Sequence, residues 1–160
     1  MLVVSVIFGI GFLSGLRAFT PLALVSWVAS WGWIPLGGSR LAFLGTTTGA
    51  VIVSILALGE LVGDKLPKTP NRIQAGPLVA RVLTGALSAA AICVSAGQTW
   101  LLGVFLGAIG SVGGAFGGYH ARRVLVKRLH VPDLIIALVE DFVTIAGTLF
   151  LFARLFSKSV

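Results

Sequence analysis

A single arginine, Arg17, interrupts the apolar N-terminal stretch of the chain, where no other charged residue occurs between Met1 and Ser39. An arginine in the middle of a membrane-length segment costs about 3 kcal/mol or more. Such residues pair with acidic groups or face water-filled cavities. We therefore expect Arg17 to belong to a buried site that contains acidic partners.

The best candidates for those partners are two adjacent carboxylates, Glu140 and Asp141, in the last apolar stretch of the chain. Successive helical residues point about 100° apart, so both can border one cavity. They and Arg17 are the deepest charges of opposite sign, which predicts that they pair. One arginine neutralises one carboxylate, and the other should then be protonated or hold a cation. The predicted binding residues are Arg17, Thr20, Glu140, Asp141 and Thr144.

A second group of charged residues surrounds the loop that follows the second apolar segment. Glu60 lies near the end of that segment, and Arg81 lies one turn into the next. Arg72 in the loop can reach the same level, because long basic side chains extend toward the interface. We expect Glu60 to pair with Arg81 or Arg72 in a mainly structural role. Asp64 begins the loop and is counted with these supporting ion pairs.

The elements that position these residues are membrane helices. Hydrophobic residues make up 57% of the chain and charged residues 11%, and the mean hydropathy is +1.04, which predicts an integral membrane protein. Residues 1–160 form a single all-α transmembrane domain in this interpretation, with about five segments of the length that crosses a bilayer. The segments run from Leu2 to Pro35, Leu41 to Val62, Pro77 to Ala96, Thr99 to Tyr119 with a helical continuation to Leu129, and Pro132 to Phe156.

The first segment is too long for one straight crossing. As a helix its roughly 34 residues would span about 50 Å, against a hydrocarbon core of about 30 Å. Thr20 could cap a new helix that starts at Pro21, where the missing N–H costs nothing. We therefore predict a break between Gly15 and Pro21, with Arg17 inside it. A proline kink in a tilted helix is the alternative.

The distribution of basic residues predicts the orientation. Lysine and arginine cluster in loops 64–76 and 120–131, which places both loops in the cytoplasm. If the first segment crosses once, the N-terminus lies inside and the C-terminus outside. The net charge of +7 comes from these loops and not from one basic surface, so no nucleic-acid partner is expected. The start of the chain lacks the basic region of a signal peptide, so we treat it as mature sequence.

The fourth segment is rich in glycine, with the stretch GVFLGAIGSVGGAFGG at residues 103–118. Small residues in such a stripe let helix backbones approach closely, and a homo-oligomer could form through them. The stretch IGFLSGLRAF at 10–19 is also weakly similar to IGSVGGAF at 109–116. An inverted repeat of the kind found in transporters would explain that similarity, and chance is the alternative.

Four motifs together resemble a family of small bacterial membrane proteins known as a domain of unknown function. They are SGLRAFTPL, GELVGDKLPKTPNR, the glycine-rich stretch that ends in AxRR, and the pair Glu140–Asp141. The resemblance covers nearly the whole chain. It implies a helical inner-membrane protein and supplies neither an activity nor a substrate.

Taken together, these residues predict a small inner-membrane transporter or channel for an ion or small charged solute. The bilayer is the expected surrounding, and no cofactor or catalytic residue is predicted. A structural or accessory subunit with buried ion pairs is the first alternative. An enzyme acting on lipid phosphate is the second alternative. The sequence contains neither the catalytic histidine motifs of membrane phosphatases nor the H-E-x-x-H or G-x-S-x-G signatures of other hydrolases.

Overall fold

Six α-helices and one short 3-10 helix form the part of the chain that the computed structural model describes, residues 2–64, 73–129 and 132–157. No strand occurs in these residues, so the predicted all-helical class is confirmed. The helices are α1 (Leu2–Leu16), α2 (Phe19–Ser30), α3 (Thr47–Gly63), α4 (Ala75–Ser95), α5 (Trp100–Leu129) and α6 (Asp133–Phe156), and the 3-10 helix is Ala42–Gly45.

The helices fall into two length classes. By length and composition, α4, α5 and α6 are long and apolar enough to cross a membrane. The other three are apolar but shorter, with 15 residues in α1, 12 in α2 and 17 in α3. Three membrane-length helices among the described residues are therefore observed where five segments are predicted.

Local signals explain several helix ends. The Thr46 side chain accepts a hydrogen bond from the N–H of Gly49 at 3.0 Å and so caps α3. At the same end of the bundle α4 stops before Gly97, whose φ of 66° allows the sharp turn into α5. Asp133 occupies the first turn of α6, where a negative charge stabilises the helix N-terminus.

Close backbone contacts show that α1 and α5 lie side by side and run in the same direction. Gly11 abuts Gly107, and Gly15 abuts Ser111, so both helices advance together. The two similar stretches at 10–19 and 109–116 are thus neighbours with a parallel orientation. An inverted repeat requires opposite orientations, and that prediction is wrong.

The opposite holds for α1 and α6. Gly147 of α6 packs against Leu13, and Leu151 packs against Gly9 nearer the start of α1. The two helices are therefore antiparallel, and the N-terminal end of α1 lies beside the C-terminal end of α6.

Helix α2 is the second half of the first apolar segment. It runs back toward the end of the bundle at which α1 begins. It runs antiparallel to α3, because Phe19 contacts Glu60 near the end of α3 whereas Trp27 contacts Ser54 earlier in it. Trp33, just beyond α2, packs edge-to-face on Phe156 at the end of α6, with ring centroids 5.4 Å apart. The start of α1 and the end of α2 thus both lie at the C-terminal end of α6. The two helices therefore form a hairpin.

The predicted break between Gly15 and Pro21 is confirmed, although its form differs from the prediction. The helix stops after Leu16, and Ala18 precedes the first residue of α2. Thr20 is not the cap, because it lies inside the first turn of α2 and Ala18 makes no side-chain cap. The interpretation of the segment as one bent crossing is wrong, since the chain reverses at Arg17 and Ala18.

Glycines of α5 provide the surface on which α1 and α4 pack. A Cβ atom at Gly110 would lie 2.5 Å from the carbonyl oxygen of Phe8, and one at Gly103 would lie 2.6 Å from that of Ala89. Because Gly107 also abuts Gly85 of α4, residues along α5 contact successively earlier residues of α4, and these helices are antiparallel. Backbone contact this close is possible only without side chains.

Candidate functional site

The Arg17 side chain lies at the turn of the hairpin and is completely buried. One terminal nitrogen of its guanidinium, Nη1, binds Asp64 at the end of α3. The other, Nη2, lies 2.6 Å from Asp141 of α6 and 3.5 Å from the carbonyl oxygen of Ala137, one turn earlier. The hairpin turn is thus tied to two other helices through one arginine.

Asp64 is the partner of Arg17 that the sequence interpretation missed. It was assigned to the supporting ion pairs because it begins a loop, yet it is the C-terminal cap residue of α3. The sequence did contain a signal. Asp64 follows Glu60 by four residues on the same face of the helix, so a site that receives Glu60 is within reach of Asp64 as well.

Glu140 faces a different helix from its neighbour Asp141. Its carboxylate lies 3.6 Å from Arg122 of α5, which also holds Asp133 through two hydrogen bonds of 2.7 and 2.6 Å. Of the two adjacent acids that are predicted to lie within ion-pair reach of Arg17, the structure places Asp141 against Arg17 and Glu140 against Arg122. The rotation of about 100° between consecutive helical residues separates them.

The remaining predicted binding residues do not contact Arg17. The buried hydroxyl of Thr144 donates to the carbonyl oxygen of Glu140 within α6, at 2.8 Å. The hydroxyl of Thr20 is buried and makes no hydrogen bond. Arg72 lies outside the described residues. The predicted Glu60–Arg81 pair, in contrast, is present at 3.4 Å.

The Glu60–Arg81 pair also binds backbone groups at the hairpin turn. The two carboxylate oxygens of Glu60 accept hydrogen bonds from the backbone N–H groups of Ala18 and Phe19, at 2.8 and 2.9 Å. Arg81 donates to the carbonyl oxygens at the end of α1, at 3.2 Å for Gly15, and also to Leu16. We call Glu60 and Arg81 the tip clasp, and residues 15–19 the hairpin tip.

The tip clasp provides hydrogen-bond partners for backbone groups at the end of α1 and the start of α2. A helix end leaves backbone N–H or C=O groups without partners, and a buried polar group without a partner costs about 1–3 kcal/mol. At this turn one helix ends and another begins within two residues, so both kinds of group are exposed at once. An anion serves the N–H groups and a cation serves the carbonyl groups.

A cavity of about 250 Å³ lies beside the tip clasp, between α3 and α4. Its polar end contains Glu60, Asp64 and Arg81, and its walls are otherwise apolar. These two helices both contact α2 but do not pack closely on each other, which leaves the space open. The lining residues are Ala18, Phe19, Leu56, Glu60, Asp64, Pro77, Ala80 and Arg81.

All five acidic residues of the chain take part in ion pairs at the same end of the bundle. Among residues 2–64, 73–129 and 132–157, arginines from the tip, α4 and α5 contact them. In the described ranges no three histidine, cysteine, aspartate or glutamate side chains come together as a metal site. The arrangement brings buried carboxylates and guanidinium groups together, which are groups that can bind counter-ions.

The comparisons with known proteins support the resemblance in the motifs. No curated protein and no solved structure matches the chain at a significant level. Residues 4–154 match the family described as Domain of unknown function (DUF4126). This match covers nearly the whole chain, and the protein therefore belongs to that family.

Proposed function

We propose that this protein is a small bacterial inner-membrane transporter or channel for an ion or small charged solute, with the hairpin tip as its binding site. The observation that supports the proposal is the wholly buried Arg17 at the turn of a helical hairpin, in contact with Asp64 and Asp141. Helix breaks at membrane depth occur where the freed backbone lies in protein or lines a cavity. Ionisable residues at that depth mark ion and proton pathways.

Aromatic residues near the two ends of the bundle support the depth of the tip. Trp100 and Tyr119 lie nineteen residues apart on α5, about 28 Å, which matches the hydrocarbon core between two interfacial aromatic belts. Trp31 and Trp33 are exposed at the same end as Trp100. Gly15 packs on Gly114, five residues before Tyr119, so the tip lies about 8 Å inside the membrane edge.

The basic residues support the orientation. The end of α5 carries Arg122, Arg123, Lys127 and Arg128, and the predicted loop 64–76 joins α3 and α4 at this same end of the bundle. Such residues favour the cytoplasmic side. In this proposal α3 to α6 cross the membrane, the hairpin enters from the outer side, and both termini lie outside. The N-terminus inside, expected for a single crossing, does not fit a hairpin.

A structural or accessory subunit is the second candidate, and one observation favours it. Each terminal nitrogen of the Arg17 guanidinium already contacts a carboxylate, and the described cavity beside the tip is not lined by Arg17.

A homo-oligomer that forms through the glycine-rich segment also stays a proposal. Most glycines of 103–118 face α1 or α4, which leaves Gly113 and Gly117 to contact a second copy.

The test is a flux measurement on the purified protein in liposomes that contain a pH-sensitive dye. Gradients of sodium, potassium, chloride and acetate are imposed in turn, and proton and ion movement are followed. We expect flux above that of empty liposomes for one of these ions, with a pH dependence that Asp141→Asn changes. Asp133→Asn is the control, because the Asp133 carboxylate lies away from the tip and is largely exposed. Absence of flux for all ions would favour the structural candidate.

A further inference from the structure

The backbone N–H groups at the tip depend on one carboxylate from outside the hairpin. Ala18, which precedes α2, makes no side-chain cap, and the buried Thr20 hydroxyl in the first turn has no hydrogen-bond partner. Helices normally begin at a residue whose own side chain accepts these bonds. Here Glu60 does so from α3, across the interface between hairpin and bundle.

We propose that the tip clasp is a proton-operated latch, in which protonation of Glu60 releases the hairpin tip. A proton from water binds one carboxylate oxygen of Glu60, and the side chain becomes neutral. The protonated oxygen now carries an O–H and is a weaker acceptor for the backbone N–H that donates to it. In the same step Arg81 loses its ionic contact with Glu60 at 3.4 Å and keeps the one with Asp64 at 3.9 Å. Both charge-assisted contacts weaken together, because each depended on the same negative charge.

The charged groups around Glu60 differ from those around its neighbour Asp64 on the same helix face. Asp64 on the same helix faces two guanidinium groups, Arg17 of the tip and Arg81 of α4 at 3.9 Å. Glu60 faces Arg81 and two neutral amides. From α6, Asp141 reaches this cluster through Arg17. Protonation of Asp64 would remove an ionic contact from two guanidinium groups, whereas protonation of Glu60 removes one from Arg81 alone and leaves Asp64 beside it.

A second group of described charges at this end is centred on Arg122, which also lies within electrostatic range of Asp64. Arg122 of α5 contacts Asp133 and Glu140 from α6, and neither of these acids contacts the tip in the described part of the chain. They therefore provide matched controls for effects of charge alone.

The cavity between α3 and α4 gives the latch both access and room. Glu60 and Arg81 line it together with the tip residues Ala18 and Phe19. Water can therefore reach the carboxylate, and a released tip has space of about 250 Å³ beside it. The role of the latch rests on the proposed function, in which the tip is the binding site. Release of the tip can nevertheless be measured without any solute.

The test measures access to the tip. Ala18→Cys is introduced in a Cys93→Ala background, and its reaction with a water-soluble thiol reagent is followed in liposomes at a fixed pH. Ala18 is buried, so it reacts only when the tip is released. We expect Glu60→Gln to raise the reaction rate about tenfold or more, the size expected from losing a charge-assisted hydrogen bond. Asp133→Asn should leave the rate unchanged. An unchanged rate with Glu60→Gln would overturn the proposal.

A second measurement needs no substitution of Glu60. A nitroxide at position 18 reports mobility by its spectrum, without the thiol chemistry that itself depends on pH. Mobility should rise as the pH falls with Glu60 present, and should be high at every pH with Glu60→Gln. A pH-independent spectrum with Glu60 present would overturn the latch. Release of the tip without any ion flux would instead contradict the proposed function and leave the latch intact.

Discussion

Arg17 has two acidic partners on two different helices, and this arrangement makes its charge more important for folding than either carboxylate. Removing one partner of a buried ion pair leaves the other charge uncompensated, at a cost of about 3–5 kcal/mol. Arg17→Ala would leave both Asp64 and Asp141 in that state. Loss of one acid leaves the arginine with the other.

We therefore expect Arg17→Ala to lower the free energy of unfolding by about 3–5 kcal/mol, and Asp141→Asn by clearly less. Thermal unfolding in detergent, followed by circular dichroism, measures both. Glu140→Gln is the matched control on the same helix, because its carboxylate faces Arg122 instead of Arg17. A larger loss with Asp141→Asn than with Arg17→Ala would contradict this account of the site.

The two members of the tip clasp should not act independently. Glu60→Gln and Arg81→Gln each remove half of the pair and one set of backbone contacts at the tip. We expect the double variant to lose less stability than the sum of the single losses, by about 1–2 kcal/mol. The same unfolding measurement applied to all four proteins gives this coupling. Strict additivity would show that the two side chains do not interact.

At the scale of the elements, α5 determines how closely α1 and α4 can pack. Gly114 faces the backbone of α1, where an added Cβ would lie 2.9 Å from the carbonyl carbon of Phe12 and 3.1 Å from the Cα of Gly15. The adjacent Gly113 has only the Phe12 ring nearby, at 3.9 Å. The position of the whole hairpin therefore depends on some glycines of α5 and not on their neighbours.

Gly114→Ala should lower stability by about 1–3 kcal/mol, because a methyl group there forces the two backbones apart. Gly113→Ala should be neutral or stabilising by up to about 1 kcal/mol, because alanine is the better helix former and has room. Both are compared by unfolding in the same detergent. Equal destabilisation by the two substitutions would mean that α1 does not pack on this face.

For the whole molecule, the hairpin changes which segments would reach each side of the membrane in the proposed topology. The outer ends of α1 and α2 lie at the end of the bundle that also contains the turn between α4 and α5 and the C-terminal end of α6. A single crossing by the first segment would put its two ends on opposite sides.

Cysteine labelling in intact spheroplasts tests this topology. In a Cys93→Ala background, Ser39→Cys and Gln98→Cys should react with a membrane-impermeant reagent from outside. Ala121→Cys should react only after lysis, since it lies among the basic residues of α5. Thr69→Cys, in the predicted cytoplasmic loop, should behave like Ala121→Cys. Labelling of Thr69→Cys from outside would contradict the orientation.

The sequence by itself determined the class of the protein and the position of the break. Apolar runs without charges specify membrane-type helices, because burial in lipid or protein requires them. A stretch of about 34 such residues exceeds one bilayer thickness, so an interruption followed from length, and Thr20 and Pro21 indicated its position near Arg17. The need of Arg17 for acidic partners followed from its cost in an apolar segment.

Only the tertiary structure decided where the chain goes after the break and which acids meet at it. A bent crossing and a hairpin contain the same apolar residues, so local hydropathy does not distinguish them. Glu140 and Asp141 differ by one helical step, and only the packing of α6 on α1 selects Asp141 for Arg17. The capping of the tip by Glu60 joins positions more than forty residues apart, and no local pattern encodes a hydrogen bond between the N-terminus of one helix and the side chain of another.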